Sequence, residues 1–158
     1  PLPKIFRMTK GGKLNAGIFE GETINTPSML VIEDWIDALG WAEAAGGLPG
    51  LVARTEANAA ALGAWVERTP WVEHLAADPA TRSTTSVCLA LPGAAEDTPK
   101  RIAALLEKEG VAFDIGGYRD APPGLRIWCG ATVDTADIEA LTPWLDWAHA
   151  QVTTKAAA

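Results

Sequence analysis

YRDAPPGLRIWCG, residues 118–130, places two arginines in a turn that leads into a strand. The Pro-Pro-Gly tripeptide in its middle predicts the turn, and the apolar run after it predicts a buried strand. Arg126 falls inside that run, where a guanidinium group needs an anionic partner. Arg119 lies just before the turn, so the fold could bring it back beside Arg126. Two planar cations at one place suit a ligand with two anionic groups, such as a carboxylate and a phosphate.

The residues alone leave a structural interpretation of the arginines equally open. Arginines that are only partly exposed usually have partners within the protein. Both Arg119 and Arg126 could therefore pair with nearby Asp or Glu side chains and bind no ligand.

Charge and hydropathy exclude several classes of function. The 158 residues carry 13 basic and 20 acidic side chains, a net charge of −7, and contain no run of Lys or Arg. Nucleic acid and anionic membrane surfaces are therefore poor partners. No apolar run approaches the roughly 18 residues of a membrane span, and no signal segment opens the chain. We expect a cytoplasmic protein.

Neither cysteine nor histidine predicts a metal site. Cys88 and Cys129 both lie in apolar, strand-like runs, which favours buried thiols over a disulfide or a metal pair. His74 and His149 are far apart in the sequence and have no Cys or carboxylate at the spacing of metal ligands. We therefore predict no metal.

The first 69 residues divide into a glycine-rich segment and two helices. Residues 1–27 open without Met in an apolar stretch, as expected of a piece of a longer polypeptide, and the Ala-rich tail resembles a frayed natural end. Residues 28–69 predict paired connector helices broken at Gly46-Gly47. Most of the seven tryptophans lie on helix faces and are expected in the core.

From Pro70 the pattern changes to strands that alternate with amphipathic helices. Strands are predicted at 71–75, 85–91, 111–115 and 125–130, and helices from Pro99 to Gly110 and from Asp134 or Thr135 onward. We predict that residues 70–158 form a small α/β domain, a mixed sheet with helices on one face.

A second candidate anion site lies at residues 25–27. Thr26 is a plausible N-cap, with Pro27 at the first helical position. Free amides at a helix N-terminus, together with the Asn25 amide and the Thr26 hydroxyl, suit a phosphate group. The alternative is that this is an ordinary helix cap.

These strings together resemble the C-terminal part of the phosphoserine aminotransferase family. The resemblance rests on NTPSML at residues 25–30, ADPATRS at residues 77–83, and residues 116–133 with their Tyr-Arg and Leu-Arg-Ile-Trp pattern. It covers essentially the whole chain, in order.

The resemblance implies a fold-type-I transaminase that depends on pyridoxal phosphate and acts as a homodimer with shared active sites. It would transfer an amino group between glutamate and 3-phosphohydroxypyruvate in serine biosynthesis. Residues 1–27 would be the end of the large cofactor-binding domain. Asn25 and Thr26 match residues that reach the cofactor phosphate of the neighbouring subunit. Arg126 matches the arginine that holds the substrate α-carboxylate, and Arg119 one that holds the substrate phosphate.

One departure concerns the Schiff-base lysine. In the family it lies in a Gln-Lys segment followed by glycines, N-terminal to everything matched here, and this chain contains no such segment. Lys10 precedes two glycines but occupies a later position. We therefore expect no catalytic residue in this chain and no activity of the chain alone. Two other interpretations remain: a non-catalytic α/β module that binds a small phosphorylated carboxylate, and a fragment that supplies a dimer surface.

Overall fold

The chain divides after Ala45 into two units. The computed structural model describes residues 3–154, so the expectations about the first two residues and the last four lie outside the described range. In the first unit, β1 (Thr9–Lys10) and β2 (Lys13–Leu14) form an antiparallel hairpin. Its turn, Gly11-Gly12, has φ angles of 61° and 76°, which glycine adopts without strain.

Helix α1 (Met29–Ala44) begins later than predicted. Ser28 is its N-cap residue and has the extended backbone of a cap, although its side chain forms no capping hydrogen bond. The prediction that Thr26 caps this helix and Pro27 begins it is therefore wrong. Serine is itself a preferred N-cap residue, so the later start uses an equally suitable residue.

Helix α1 leaves its apolar side chains exposed. None of its residues is buried. Trp35 is 65% exposed and Trp41 44% exposed, so the prediction that helical tryptophans belong to the core is wrong for this helix. The apolar spacing was identified correctly, but spacing does not tell whether another surface covers the helix.

The second unit begins with Gly46 in the left-handed conformation, φ 97°, which breaks the chain between the two helices as predicted. The elements that follow are α2 (Gly47–Arg68), β3 (Glu73–His74), β4 (Ser86–Ala90), α3 (Thr98–Lys108), β5 (Gly124–Trp128) and α4 (Thr135–Thr154). The α/β class is confirmed. The three strands lie in the order β3-β4-β5, and both pairings are antiparallel. In this respect the described sheet differs from the mixed sheet we predicted.

The predicted strand at 111–115 is absent, which partly explains the simpler sheet. Gly110, with φ 70°, ends α3, and the Val111 amide still donates to the Leu106 carbonyl at 2.9 Å. Asp114 then has φ 54°, which interrupts an extended backbone. Only an isolated bridge between Gly116 and Leu125 connects this segment to β5.

The core lies between the sheet and the helices α2, α3 and α4. Its most deeply buried large side chains, each at most 2% exposed, are Leu62, Trp65, Leu89, Ile102, Leu106, Leu125, Ile127 and Leu145. Full burial of one such side chain stabilises the fold by about 1.5–3 kcal/mol. This core fixes β4 and β5, and hence the face of the sheet that points away from it.

Candidate functional site

Arg126 lies on the face of the sheet opposite the core. Along β5 the burial alternates, with Leu125 and Ile127 buried and Arg126 half-buried. On β4, Cys88 is paired directly with Arg126, so the two side chains share a face. We call this side, with Ser86, Cys88, Arg126 and Trp128, the open face.

Arg126 has an anionic partner, as its position within an apolar strand requires. Its Nη2 donates to the Asp114 carboxylate at 2.7 Å and to the Asp114 backbone carbonyl at 3.2 Å. The Asp114 side chain is 89% exposed, whereas that of Arg126 is 24% exposed. The structural interpretation of Arg126 is therefore correct as far as this ion pair goes, and a pair so open to water is weak.

Tyr118 covers one side of the Arg126 guanidinium group. The guanidinium carbon lies 4.6 Å from the centre of the Tyr118 ring, a cation–π arrangement. The Tyr118 hydroxyl lies 3.1 Å from the Ser86 hydroxyl, and this hydrogen bond, followed by interaction with Arg126, lowers the pKa of Tyr118. The pKa of Arg126 is raised, first by hydrogen bonding with Tyr118 and then by Asp114, although desolvation opposes the change. Arg126 is therefore a fixed cation with a defined orientation.

One buried donor of Arg126 has no partner. Its Nε is buried and has no hydrogen-bond partner among the described residues. The side chain borders an open cavity of about 390 Å³, whose other lining residues include Ser86, Phe113, Asp114, Trp128 and Asp137. A buried, unpaired donor is unfavourable. The arrangement of Arg126 therefore leaves one buried hydrogen-bonding group unsatisfied.

Arg119 borders a different cavity. That space, of about 510 Å³, is also lined by Glu96, Lys100 and Tyr118. In the described part of the chain Arg119 forms no hydrogen bond or ion pair. Tyr118 links the two places, since it lines the Arg119 cavity and stacks on Arg126. Arg119 and Arg126 therefore line two separate cavities instead of one shared cavity.

A buried amide holds the chain that follows β5. Asn58, on α2, is fully buried, and its Nδ2 lies within 3.3 Å of the carbonyls of Cys129, Gly130 and Val133. Its Oδ1 accepts a hydrogen bond from the Thr135 hydroxyl at 2.7 Å. These bonds fix the turn between β5 and α4, and with it the Trp128 and Val133 edge of the Arg126 cavity.

Asn25 and Thr26 lie in the first unit, before helix α1. Both residues are exposed, and within the described residues neither side chain forms a hydrogen bond. An amide and a hydroxyl with free donors suit a phosphate oxygen. The donor set therefore fits the proposed cofactor phosphate, but these residues precede the N-cap and do not belong to the helix terminus that we expected.

The two thiols are free, as predicted. Cys129 is fully buried, and burial raises the pKa of its thiol to about 11. Cys88 is half-buried on the open face. No group of three potential metal ligands occurs among the described residues, and no helix among them is long and apolar enough to cross a membrane.

Sequence reasoning missed Asp114 and Asn58. We had placed Asp114 in a strand, whereas it occupies a left-handed turn and faces Arg126. A signal for Asn58 was present: it precedes Leu62 and Trp65 by four and seven residues, the spacing of one helix face. A polar residue on an apolar stripe indicates a buried hydrogen-bonding role.

Comparison with known sequences gives one consistent name. The chain is 55% identical over 149 residues to the curated phosphoserine aminotransferases of Methanosarcina mazei and Methanosarcina barkeri. Each match covers 94% of this chain and 40% of the relative. A phosphoserine aminotransferase from a Nocardioides species is 35% identical over 129 residues, which are 81% of this chain and 34% of the relative. No family model matches the chain.

Solved structures with a similar fold carry the same name as the sequence relatives. The phosphoserine aminotransferase from Bacillus circulans subsp. alkalophilus matches 80% of this chain and 34% of its own, with a TM-score of 0.70 and 25% identity. A phosphoserine aminotransferase structure that describes radiation damage of the Schiff base matches 87% of this chain and 38% of its own. Its TM-score is 0.73 and its identity 19%, which supports the fold alone.

The chain spans about 40% of the length of these two Methanosarcina relatives. Over that part, sequence and fold agree on the same proteins, and the resemblance first seen in the NTPSML and Leu-Arg-Ile-Trp strings is confirmed. In the portion that it represents, the chain is similar in both sequence and fold to phosphoserine aminotransferases.

Proposed function

We propose that this chain is the C-terminal portion of a phosphoserine aminotransferase. The protein transfers an amino group between glutamate and 3-phosphohydroxypyruvate in serine biosynthesis, with pyridoxal phosphate as cofactor. The observation that carries the proposal is Arg126, a fixed cation with an unpaired donor beside an open cavity. The 55% identity to two phosphoserine aminotransferases supports the same assignment.

Arg126 holds the α-carboxylate of each substrate in this proposal. A guanidinium group offers two parallel N–H donors that match the two oxygens of a carboxylate. Tyr118, stacked at 4.6 Å, restricts the guanidinium plane and so orients the bound carboxylate. Because every amino and keto acid in the reaction carries this carboxylate, Arg126 serves both half-reactions.

Arg119 holds the phosphate end of the phosphorylated substrate. Two features support this role: Arg119 has no partner of its own in the described chain, and Lys100 lines the same cavity. A second cation beside Arg119 favours a dianionic group. Tyr118 lines this cavity and also stacks on Arg126, so one residue contacts both proposed anion-binding places.

Asn25 and Thr26 contact the cofactor phosphate in this proposal, in the active site of the neighbouring subunit of a homodimer. When bound, pyridoxal phosphate supplies the electron sink for amino transfer. Within the 158 residues we assign no lysine to the cofactor. The position before two glycines, Lys10, lies in the strand that leads into a hairpin turn. Amino transfer is therefore proposed for the whole protein, and the isolated chain is proposed to be inactive.

The test is the kinetics of Arg126 variants in the whole protein. Arg126→Ala is expected to lower kcat/KM about 30-fold or more for glutamate and for the phosphorylated substrate alike, because a truncated charge-paired contact is lost. Arg126→Lys is expected to restore little, since an ammonium group cannot reproduce the planar donor pair. The matched control is Arg101→Lys, which alters an arginine whose Nη2 donates to the Val152 carbonyl away from the open face.

Two results would contradict this assignment. Normal kcat/KM in Arg126→Ala would remove the carboxylate role. A whole protein that binds both substrates through Arg126 but transfers no amino group would favour the non-catalytic binding module. That alternative has one supporting observation, since all residues that line the Arg126 cavity lie between 86 and 141 of the second unit.

A further inference from the structure

Asp114 occupies the part of Arg126 that a carboxylate ligand needs. Its carboxylate accepts from Nη2 at 2.7 Å, and its backbone carbonyl accepts from the same nitrogen at 3.2 Å. A carboxylate bound by two parallel hydrogen bonds must use two neighbouring donors of the guanidinium group. A guanidinium group has two such pairs, Nε with Nη2 and Nη1 with Nη2, and both include Nη2. Because Nη2 is bonded to Asp114, neither pair is available in the arrangement seen here.

The geometry of Asp114 suits an ion pair that can be broken. Its side chain is 89% exposed, so water solvates the carboxylate readily once it leaves Arg126. Its backbone has φ 54°, the only positive value among the described residues other than glycine. This conformation aims a short side chain at Arg126 from a turn, where nothing else in the described chain pairs with the carboxylate.

The unpaired Nε indicates what replaces Asp114. Nε has no access to solvent, so a ligand oxygen reaches it only after the guanidinium group turns, and turning breaks the Nη2 bond to Asp114. A ligand carboxylate that takes both nitrogens would then satisfy a donor that Asp114 leaves unsatisfied. In this exchange the exposed ion pair between Asp114 and Arg126 is replaced by a ligand carboxylate that accepts two parallel hydrogen bonds from Arg126.

We infer that Asp114 is a displaceable internal counter-ion, which holds Arg126 in the empty site and competes with the substrate carboxylate for it. This inference rests on the proposed carboxylate-binding role of Arg126. Asp114 is thus a residue that sets affinity by opposing the ligand, and removing its charge should tighten carboxylate binding. A purely structural residue would show the reverse, since its loss would disorder Arg126 and weaken binding.

The experiment measures binding of glutarate to the whole protein through the Nε–H resonance of Arg126, identified by its loss in Arg126→Lys. Asp114→Asn is expected to lower the dissociation constant roughly two- to fivefold, the effect of one exposed ion pair. Asn accepts positive φ well, so the backbone is retained. Asp114→Gly, which also suits φ 54°, should tighten binding at least as much.

Asp137→Asn is the matched control. Asp137 lines the same cavity, and its Oδ2 accepts from the Asp134 amide, a bond that Asn can keep. This variant removes one negative charge near the ligand without touching Arg126, so it should change the dissociation constant less than Asp114→Asn. An equal decrease of the dissociation constant in both variants would overturn the inference. The loss of any one negative charge near the ligand would then explain the tighter binding.

The remaining outcomes separate this inference from the function it rests on. If glutarate shifts the Arg126 resonance but Asp114→Asn binds no more tightly, Asp114 is not a competitor and the carboxylate role stands. If glutarate leaves that resonance unchanged in both the wild type and Asp114→Asn, the carboxylate role fails and this inference fails with it.

Discussion

The two faces of strands β4 and β5 differ in almost every physical respect. On the core face Leu89, Leu125 and Ile127 are at most 2% exposed and belong to the apolar core. On the open face, Arg126 and Ser86 are half-buried. Ser86 is hydrogen-bonded to Tyr118, and Arg126 donates to Asp114. Successive side chains of a strand point to opposite faces, so adjacent residues can have different roles, one in the core and the next on the open face.

The difference shows how stability and ligand binding can be separated in this fold. The core face fixes the positions of β4 and β5, and the open face then presents polar groups on a rigid support. Substitutions on the core face should therefore change the free energy of unfolding, and substitutions on the open face should change binding. The predictions below test that division.

The largest effect is expected at Leu89, which is 1% exposed and paired directly with Leu125. Leu89→Ala is expected to lower the free energy of unfolding by about 2–5 kcal/mol, through lost apolar transfer and the cavity that remains. The measurement is urea unfolding followed by tryptophan fluorescence. Ser86→Ala, three residues earlier on the open face, should change the free energy by less than about 1 kcal/mol. Comparable losses in both variants would show that the two faces do not divide these roles.

The two thiols test the same division without any substitution. Cys129 continues the buried side of β5, and its pKa of about 11 leaves it with about 100-fold less thiolate at pH 8 than an ordinary cysteine. Because Cys129 is buried and Cys88 is half-buried, we expect iodoacetamide to modify Cys88 faster than Cys129 in the folded chain, and both at similar rates in urea. Mass spectrometry of digested samples distinguishes the two sites. Faster modification of Cys129 than Cys88 would contradict the assignment of faces.

The raised pKa of Cys129 also gives a direction for stability at high pH. The folded state disfavours the thiolate, so the stabilising contribution is complete below the ordinary pKa of a thiol. It is lost as the pH rises from there towards about 11. Cys129→Ser should show a smaller decrease in stability over that range.

The smallest effect is expected at Arg119, in the whole protein. Arg119→Ala is expected to lower kcat/KM on the order of tenfold for a phosphorylated donor, because one contact to the phosphate is lost, and far less for a donor without phosphate. Steady-state kinetics with paired donors measures the change in preference. An equal loss on both donors would assign Arg119 a structural role and leave Arg126 as the one arginine proposed to bind substrate.

Helix and strand positions were largely predictable because they depend on local spacing. The break at Gly46-Gly47 and the helix closed by Gly110 needed only glycine and apolar periodicity. The segment 111–115 was predicted wrongly for a local reason as well. Its apolar residues fit a strand, but two features prevent one: the positive φ of Asp114 and the hydrogen bond that the Val111 amide donates to the Leu106 carbonyl.

The need of Arg126 for an anionic partner could be predicted, since a cation inside an apolar strand must have one. Which partner it has could not be predicted, because Asp114 and Arg126 are 12 residues apart and meet through the turn and the pairing with β5. The same holds for Asn58, whose bonds to the carbonyls after β5 span more than 70 residues.

The sequence by itself determined most of the α/β elements and the turn that precedes the strand bearing Arg126. It also determined the family that these strings resemble. These follow from interactions between residues close in the chain and from strings that can be compared directly. Only the tertiary structure decided that Arg119 and Arg126 border separate cavities, and that the Asp114 carboxylate accepts a hydrogen bond from Arg126. Such contacts depend on how distant segments pack against one another, and no local pattern records that packing.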